Sequence, residues 1–249
     1  MGPVNMVIEN NAIISVQSLD VDYHTFSRSW KYPLGKISPF RAIKNLDLEI
    51  FEGEIVGLIG RNGSGKTTLL KSIFGELRPE SGKIETDGRA ILLSGVDPGF
   101  IPYLSGRQNV LLLAKAYGID KEKIDFFVSE VEEFASIGDA FDRQFSTYST
   151  GMRGKVGFGF LTGLDTDILL IDETLGVGDQ EFREKARERL EDYISRSGTV
   201  IISTHSMGLA KNLCNRGLLM ESGELLVDSS INEAIQKYNN ISSSYSKNE

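Results

Sequence analysis

The sequence predicts an α/β protein with a parallel core, an antiparallel β side sheet and an inserted helical lobe. Three observations predict it. Short continuous apolar runs, IVGLIG at Ile55–Gly60, ILLID at Ile168–Asp172 and TVIIS at Thr199–Ser203, are too uniformly apolar for a half-exposed strand and fit strands buried on both faces. Between the last two runs Phe182, Ala186, Leu190 and Ile194 recur at helical spacing, the order of a strand–helix–strand unit. From about 97 to 164 the apolar spacing is helical throughout.

Each element follows in turn. The first ~55 residues carry β-like runs, IISVQSLDVDY and AIKNLDLEI, suited to the side sheet. The strand Ile55–Gly60 runs straight into a glycine loop, and Lys66–Phe74 reads as a helix stopped at Gly75. In the lobe, Ser105 with Gln108 three residues on makes a capping box before NVLLLAKAY, and Gly118 ends that helix. Lys121–Ala135 reads as a second amphipathic helix and a third starts at about Gly151. The last of these carries Gly154, Gly157, Gly159 and Gly163, each costing about 1 kcal/mol relative to Ala, so close packing or flexibility has to compensate. Gly198 reads as the stop of the helix that follows ILLID. The chain 1–249 is thus one domain: core and side sheet at about 6–96 and 165–236, lobe at about 97–164, and a polar, flexible tail at 237–249.

Composition narrows the class. With 249 residues, 40% hydrophobic and 25% charged, the chain has an ordinary globular make-up and length for a real core. A net charge of −8 argues against nucleic-acid binding, which needs a basic face. The single Cys214 excludes an intrachain disulfide, suits a reducing compartment and reads as a small packed side chain. No apolar run approaches the ~18–20 residues that span a bilayer, and the N-terminus has neither a basic start with an apolar stretch nor Ser or Thr at position 6 after Gly2. The expectation is a soluble chain whose membrane role comes from a partner.

The chemistry starts at GRNGSGKT, Gly60–Thr67. Gly60, Gly63 and Gly65, with Arg61, Asn62 and Ser64 between them, allow a turn whose amides point inward at phosphate oxygens. Lys66 sets a point charge on the β/γ-phosphates of ATP, the Thr67 hydroxyl suits Mg²⁺, and Thr68 follows in the first helical turn. ILLIDE ends an apolar strand at Asp172, a second Mg²⁺ ligand through water; the adjacent Glu173 is placed to polarise an attacking water. His205 follows the strand TVIIST at an edge where ligands of α/β sheets bind, and reads as a γ-phosphate contact. His24, in a polar-aromatic stretch, reads as an ordinary surface histidine.

YSTGM at Tyr148–Met152 settles the class, because it resembles the signature motif of ATP-binding cassette proteins at the start of a lobe helix. The resemblance covers nearly the whole chain: Walker A at 60–67, signature at 148–152, Walker B at 168–173, a D-loop at Leu175–Asp179 and a switch histidine at His205. It implies a P-loop ATPase acting as a head-to-tail homodimer. Ser149, Thr150, Gly151 and Met152 would address the γ-phosphate held by the partner's loop, Asp179 would communicate across the dimer, and Tyr23 would stack on adenine with Phe40 as its competitor.

YSTGMRGKVGF, DETLGVGDQEF and GFIPYLSGRQNV further resemble the branch that exports O-antigen, capsule or teichoic acid. So does the insert between Tyr23 and Ala42, where Phe26, Trp30, Tyr32 and Phe40 mix with Arg28, Arg41 and two lysines. In that branch the insert faces the membrane subunit or the lipid head groups, where each basic residue is worth about 1 kcal/mol. The resemblance implies two copies of a polytopic permease, a lipid-linked polysaccharide as cargo, and a peripheral location on the cytoplasmic face of the cell membrane. The competing reading is a soluble cassette ATPase acting on ribosomes or nucleic acid, but neither a second cassette nor a long coiled-coil insertion is visible. Two departures stand out: Thr150 and Met152 replace the Gly and Gln of the commonest signature, and no Gln lies between Arg89 and Arg107, which leaves Ser94 and Asp97 as substitutes for the usual Q-loop glutamine.

Overall fold

The computed structural model describes residues 12–29, 32–94, 97–172, 179–195 and 198–245, without the side chains of 25–29, 32–37, 194, 195, 244 and 245. Its centre is a six-stranded sheet in the order β5-β6-β7-β3-β8-β9. These strands are β3 (Ile55–Gly60), β5 (Ala90–Ser94), β6 (Ile168–Asp172), β7 (Thr199–Ser203), β8 (Arg216–Glu221) and β9 (Glu224–Ser230), and β9 alone runs antiparallel to its neighbour. A second sheet, β2-β1-β4, pairs β1 (Ala12–Ser29) with β2 (Tyr32–Phe51) and with β4 (Ser81–Thr86), both antiparallel.

The apolar runs are continuous because both faces of the parallel sheet are covered. Successive residues split between two cores with the strand's period of two. Ile168 and Leu170, with Ile201, face a core shared with the side sheet and α1 (Lys66–Phe74). Leu169, Ile171, Val200 and Ile202 face the core that contains the lobe, α5 (Gln180–Ser195) and α7 (Ile231–Tyr245).

The lobe holds α2 (Gly106–Ala116), α3 (Ile124–Ala135) and α4 (Thr150–Gly163). Ser105 and Gln108 form the full capping box on α2, with Ser105 Oγ 3.1 Å from Gln108 N and Gln108 Oε1 2.9 Å from Ser105 N. The chain turns out of that helix at Gly118, whose N–H reaches Lys115 O at 3.1 Å. Helix α3 starts three residues later than the pattern suggests, since Lys121, Glu122 and Lys123 are exposed and bury nothing that would hold a first turn. Two of the α4 glycines have a packing reason: Cβ atoms at Gly159 and Gly163 would lie 2.9 Å from ring atoms of Phe134 and Phe127 on α3.

Two further segments gain detail. Residues 237–245, read as part of a polar, flexible tail, are helical and continue α7. Ile231, Ala234 and Ile235 are buried, Tyr238 and Ile241 pack against the same core, and this helical spacing extends into the segment read as polar. Gly198 follows α5 across residues 196–197, which lie outside the described residues, and its bare Cα makes room for the Tyr193 ring, which a Cβ would strike.

Candidate functional site

Strand β3 delivers the glycine loop to the C-terminal edge of the parallel sheet. Asp172 at the end of β6 lies in register with Ser94 on β5 and Ser203 on β7, and β7 in turn pairs with β3. That edge is where α/β sheets bind ligands, because the loops diverge there and helix N-termini converge on it.

The loop itself is shaped by two glycines. Gly65, at φ 106°, occupies the N-cap of α1, where a Cβ would stand 2.8 Å from Ala42 O. Gly60 lies so close to Met220 O that any side chain would collide. With no side-chain cap on α1, the first-turn amides stay open to an anion, aided by the helix dipole. Lys66 is buried, and its Nζ donates to Gly60 O at 2.8 Å and to Arg61 O at 2.9 Å. The loop is pinned from behind by the β8–β9 turn, where Gly223 N donates to Ser64 O at 3.0 Å and Lys44 N to Gly223 O at 2.9 Å.

A cavity of about 400 Å³ opens beside the loop, lined by Arg61, Asn62, Gly63, Ser64 and His205 together with Glu221, Ser222 and Tyr238. That volume is in the range of small-ligand sites. Ser64 Oγ, packed beside Gly60, is buried without a hydrogen-bond partner among the described residues. Thr67 is exposed at the start of α1 and Asp172 is partly exposed. A hydroxyl and a carboxylate at this edge suit Mg²⁺, a hard cation that takes one or two protein oxygens beside water and substrate phosphates.

Tyr23 lies across from Phe40 in the β1–β2 pairing, so both rings stand on one face of the ribbon, 38% and 59% exposed. Tyr23 Oη is 3.4 Å from Thr68 Oγ1, which sets Tyr23 over the first turn of α1. The insert between Tyr23 and Ala42 is a β-ribbon whose pairing continues to Ser29–Tyr32. Beyond Asp20 it has no third strand among the described residues. Arg41, expected among its outward basic residues, pairs instead with Asp20 at 3.3 Å and Asp22 at 2.8 Å. The guanidinium holds the Asp22 carboxyl below the usual range. Trp30 and Lys31 lie outside the described residues.

Ser149 caps α4, with Oγ accepting from Met152 N at 3.2 Å. Thr150 is exposed, Gly151 and Met152 partly so, and a Cβ at Gly151 would meet nothing closer than Ser149 Oγ at 3.9 Å. Tyr148 is the motif's anchor: its buried hydroxyl donates to Phe141 O at 3.0 Å and accepts from Gly106 N at 3.2 Å. Burial pushes that phenol above its ordinary range. None of 149–152 lines the cavity at the glycine loop.

Glu173, and 175–178 of the D-loop, lie outside the described residues; Asp179 is at their edge, capping α5 through Phe182 N at 2.9 Å. Of the Q-loop substitutes, Ser94 is in register with Asp172, whereas Asp97 holds its own turn by accepting from Gly99 N and Phe100 N. Sequence reasoning missed Glu221, Ser222 and Tyr238. For Tyr238 the 231–234–235–238–241 apolar spacing was the available signal; Glu221 and Ser222 carried none, since only the strand order brings them to the loop.

Residues 43–176 match the family described as ABC transporter. The chain is 30% identical over 235 residues to the ABC transporter protein AbcA of Aeromonas salmonicida, covering 92% of this chain and 76% of that one. It is 36% identical over 203 residues to the teichoic acids export ATP-binding protein TagH of Listeria monocytogenes, covering 82% of this chain and 60% of TagH. It is 33% identical over 207 residues to the O-antigen export system ATP-binding protein RfbB of Klebsiella pneumoniae, covering 83% and 84%. Among solved structures, an ATP-binding subunit of an ABC transporter superposes with TM-score 0.75 at 19% identity over 91% of this chain and 93% of that one. A dimeric cassette in a post-hydrolysis state, bound to ADP and Pi, superposes with TM-score 0.71 at 20% identity over 88% and 98%. The glycine loop, the sheet-edge Asp172 and His205, and a capped helix start set apart from them occur on a chain that belongs to the ABC transporter family.

Proposed function

We propose that the chain is the ATP-hydrolysing subunit of an exporter for a lipid-linked polysaccharide, on the cytoplasmic face of the cell membrane, working as a two-fold homodimer with a polytopic partner. One observation carries the dimer: the glycine loop with His205 lines one cavity, while the open start of α4 lies outside it. A second copy related by a two-fold axis would bring its Ser149–Gly151 to this copy's loop. The names of the teichoic-acid and O-antigen relatives support the cargo class. The β1–β2 ribbon would face the membrane partner.

In this reading the loop amides and Lys66 bind the ATP phosphates. Thr67 and Asp172 would hold Mg²⁺, which when bound neutralises charge on the β- and γ-phosphate oxygens. Glu173 accepts a proton from the attacking water and His205 hydrogen-bonds the γ-phosphate. Tyr23 or Phe40 stacks on adenine. Binding favours the closed dimer and hydrolysis releases it, so nucleotide state biases a two-state element joined to the membrane partner.

The test is capture from detergent-solubilised membranes on the tagged chain, alongside cells carrying Lys66→Ala. Recovery of a polytopic protein, with surface polysaccharide lost in the Lys66→Ala cells, is the expected result. Association with ribosomes or nucleic acid, no polytopic protein and intact polysaccharide would overturn the reading in favour of a soluble ATPase.

A further inference from the structure

Gly57 on β3 and Gly217 on β8 lie in register in the parallel sheet, both buried and both inside their strands. Glycine weakens a strand interior, and it marks a place where another element comes close. Neither has a left-handed φ, so what these positions require is space. A Cβ at Gly57 would stand 2.8 Å from Ile231 Cδ1; one at Gly217 would stand 2.6 Å from Ala234 Cβ and 3.1 Å from Ile231 Cα. The pair is a seat for α7, on which Ile231, Ala234 and Ile235 are buried. Ile231 N, donating to Asn215 O at 3.0 Å, ties the start of the helix to the strand beside it.

The seat sets where α7 stands against the glycine loop. Tyr238 follows Ile231 by two turns on the same helix face, about 10 Å along the axis. From Gly57 to Gly60, where the loop begins, the strand covers about the same 10 Å. Helix and strand arrive together: Tyr238 packs against the core and lines the cavity that Arg61, His205 and Glu221 also line. Arg61 and Glu221 bring opposite charges to that cavity, and the phenol adds a hydroxyl donor from α7.

We infer that Tyr238 is a binding residue of the nucleotide site, its hydroxyl donating to the terminal phosphate of a bound nucleoside triphosphate, and that the Gly57–Gly217 seat holds it there. This rests on the reading that the glycine loop and His205 take the phosphates of ATP. The loop amides and Lys66 grip a diphosphate as well as a triphosphate. A donor that shares its cavity with His205 meets the group that the triphosphate alone has, so Tyr238 favours ATP over ADP. Hydrogen bonds to an ionised acceptor are among the strong ones, which makes the preference measurable.

The test measures affinity of the full chain for AMP-PNP, a non-hydrolysable ATP analogue, and for ADP, by calorimetry with Mg²⁺. Chain concentrations are kept where size exclusion shows the parent monomeric with AMP-PNP. Tyr238→Phe keeps the ring on the core, so its melting temperature should match the parent. Its affinity for AMP-PNP should fall about tenfold, with that for ADP within twofold. Gly217→Ala pushes on Ala234 and should show the same selective loss; adding Ala234→Gly should restore most of it. An AMP-PNP to ADP ratio in Tyr238→Phe within twofold of the parent's overturns the contact, whatever Gly217→Ala does. A loss seen only where the dimer forms moves Tyr238 to the subunit interface and also overturns it. Selective loss in Tyr238→Phe with none in a folded Gly217→Ala keeps the contact and strikes the seat. A parent that binds neither nucleotide overturns the ATP reading together with the proposal; a parent that binds both, with the variant ratio unchanged, overturns the proposal alone.

Discussion

The ring of Phe134 occupies the space beside Gly159: a Cβ built on that glycine would lie 2.9 Å from the ring's Cδ1. Two effects then oppose each other on substitution by Ala. Helix propensity favours Ala by about 1 kcal/mol, and overpacking costs about 1–3 kcal/mol. Phe134 is buried, stacked on Phe158 and crossed by Phe182, so it has little room to yield. Gly159→Ala and Gly163→Ala are therefore expected to lower the urea midpoint, by up to about 2 kcal/mol of stability. Raised midpoints in both would show that the lobe repacks freely.

Gly151 is the contrast within the same helix. Its outer side is open, so Gly151→Ala is expected to leave the melting temperature unchanged or slightly higher while ATPase activity falls at least tenfold. A variant with normal turnover would remove the surface at Gly151 from any close approach to nucleotide.

Tyr23 and Phe40 are cross-strand partners, so the choice between them as the adenine platform is experimental. Stacking on a base is worth about 1–3 kcal/mol, which corresponds to a rise in KM for ATP of roughly 5- to 150-fold on removal of the ring. The contact of Tyr23 with Thr68 favours Tyr23→Ala as the variant with the larger effect, with kcat kept. A larger effect from Phe40→Ala would reassign the platform.

Glu173→Gln is expected to bind ATP, accumulate as a closed dimer on size exclusion, and lose turnover by roughly a hundredfold or more, the scale of general-base catalysis. His205→Ala should also slow phosphate release. Turnover near the parent value in Glu173→Gln would exclude Glu173 as the base.

Cys214 packs against Gly57 and is pushed up to about 12 by burial, so the thiol stays neutral at physiological pH. Iodoacetamide should leave the folded chain unlabelled at pH 8 and label it fully in denaturant. Because the folded value is raised, this group's contribution to stability is complete below the ordinary thiol range and is lost as pH climbs from there toward about 12. Rapid labelling of the folded chain at pH 8 would contradict the burial.

Much of the fold was legible from the sequence alone, because its signals are contiguous. The glycine loop opening α1, the stop at Gly75, the capping box at Ser105 and the apolar runs of β3, β6 and β7 each depend on backbone geometry within a few residues. The sequence by itself thus determined the α/β class, the elements and the motif residues. Tertiary structure alone decided which of them meet. Strand order brings Glu221 and Ser222 to the loop, and helix packing brings Tyr238 to the same cavity. The fit of α3 against α4 gave Gly159 and Gly163 their purpose, and the approach of α4 to α5 paired Lys155 with Asp179. Such meetings join residues far apart in the chain, and no local pattern encodes them, because they follow from how whole faces pack.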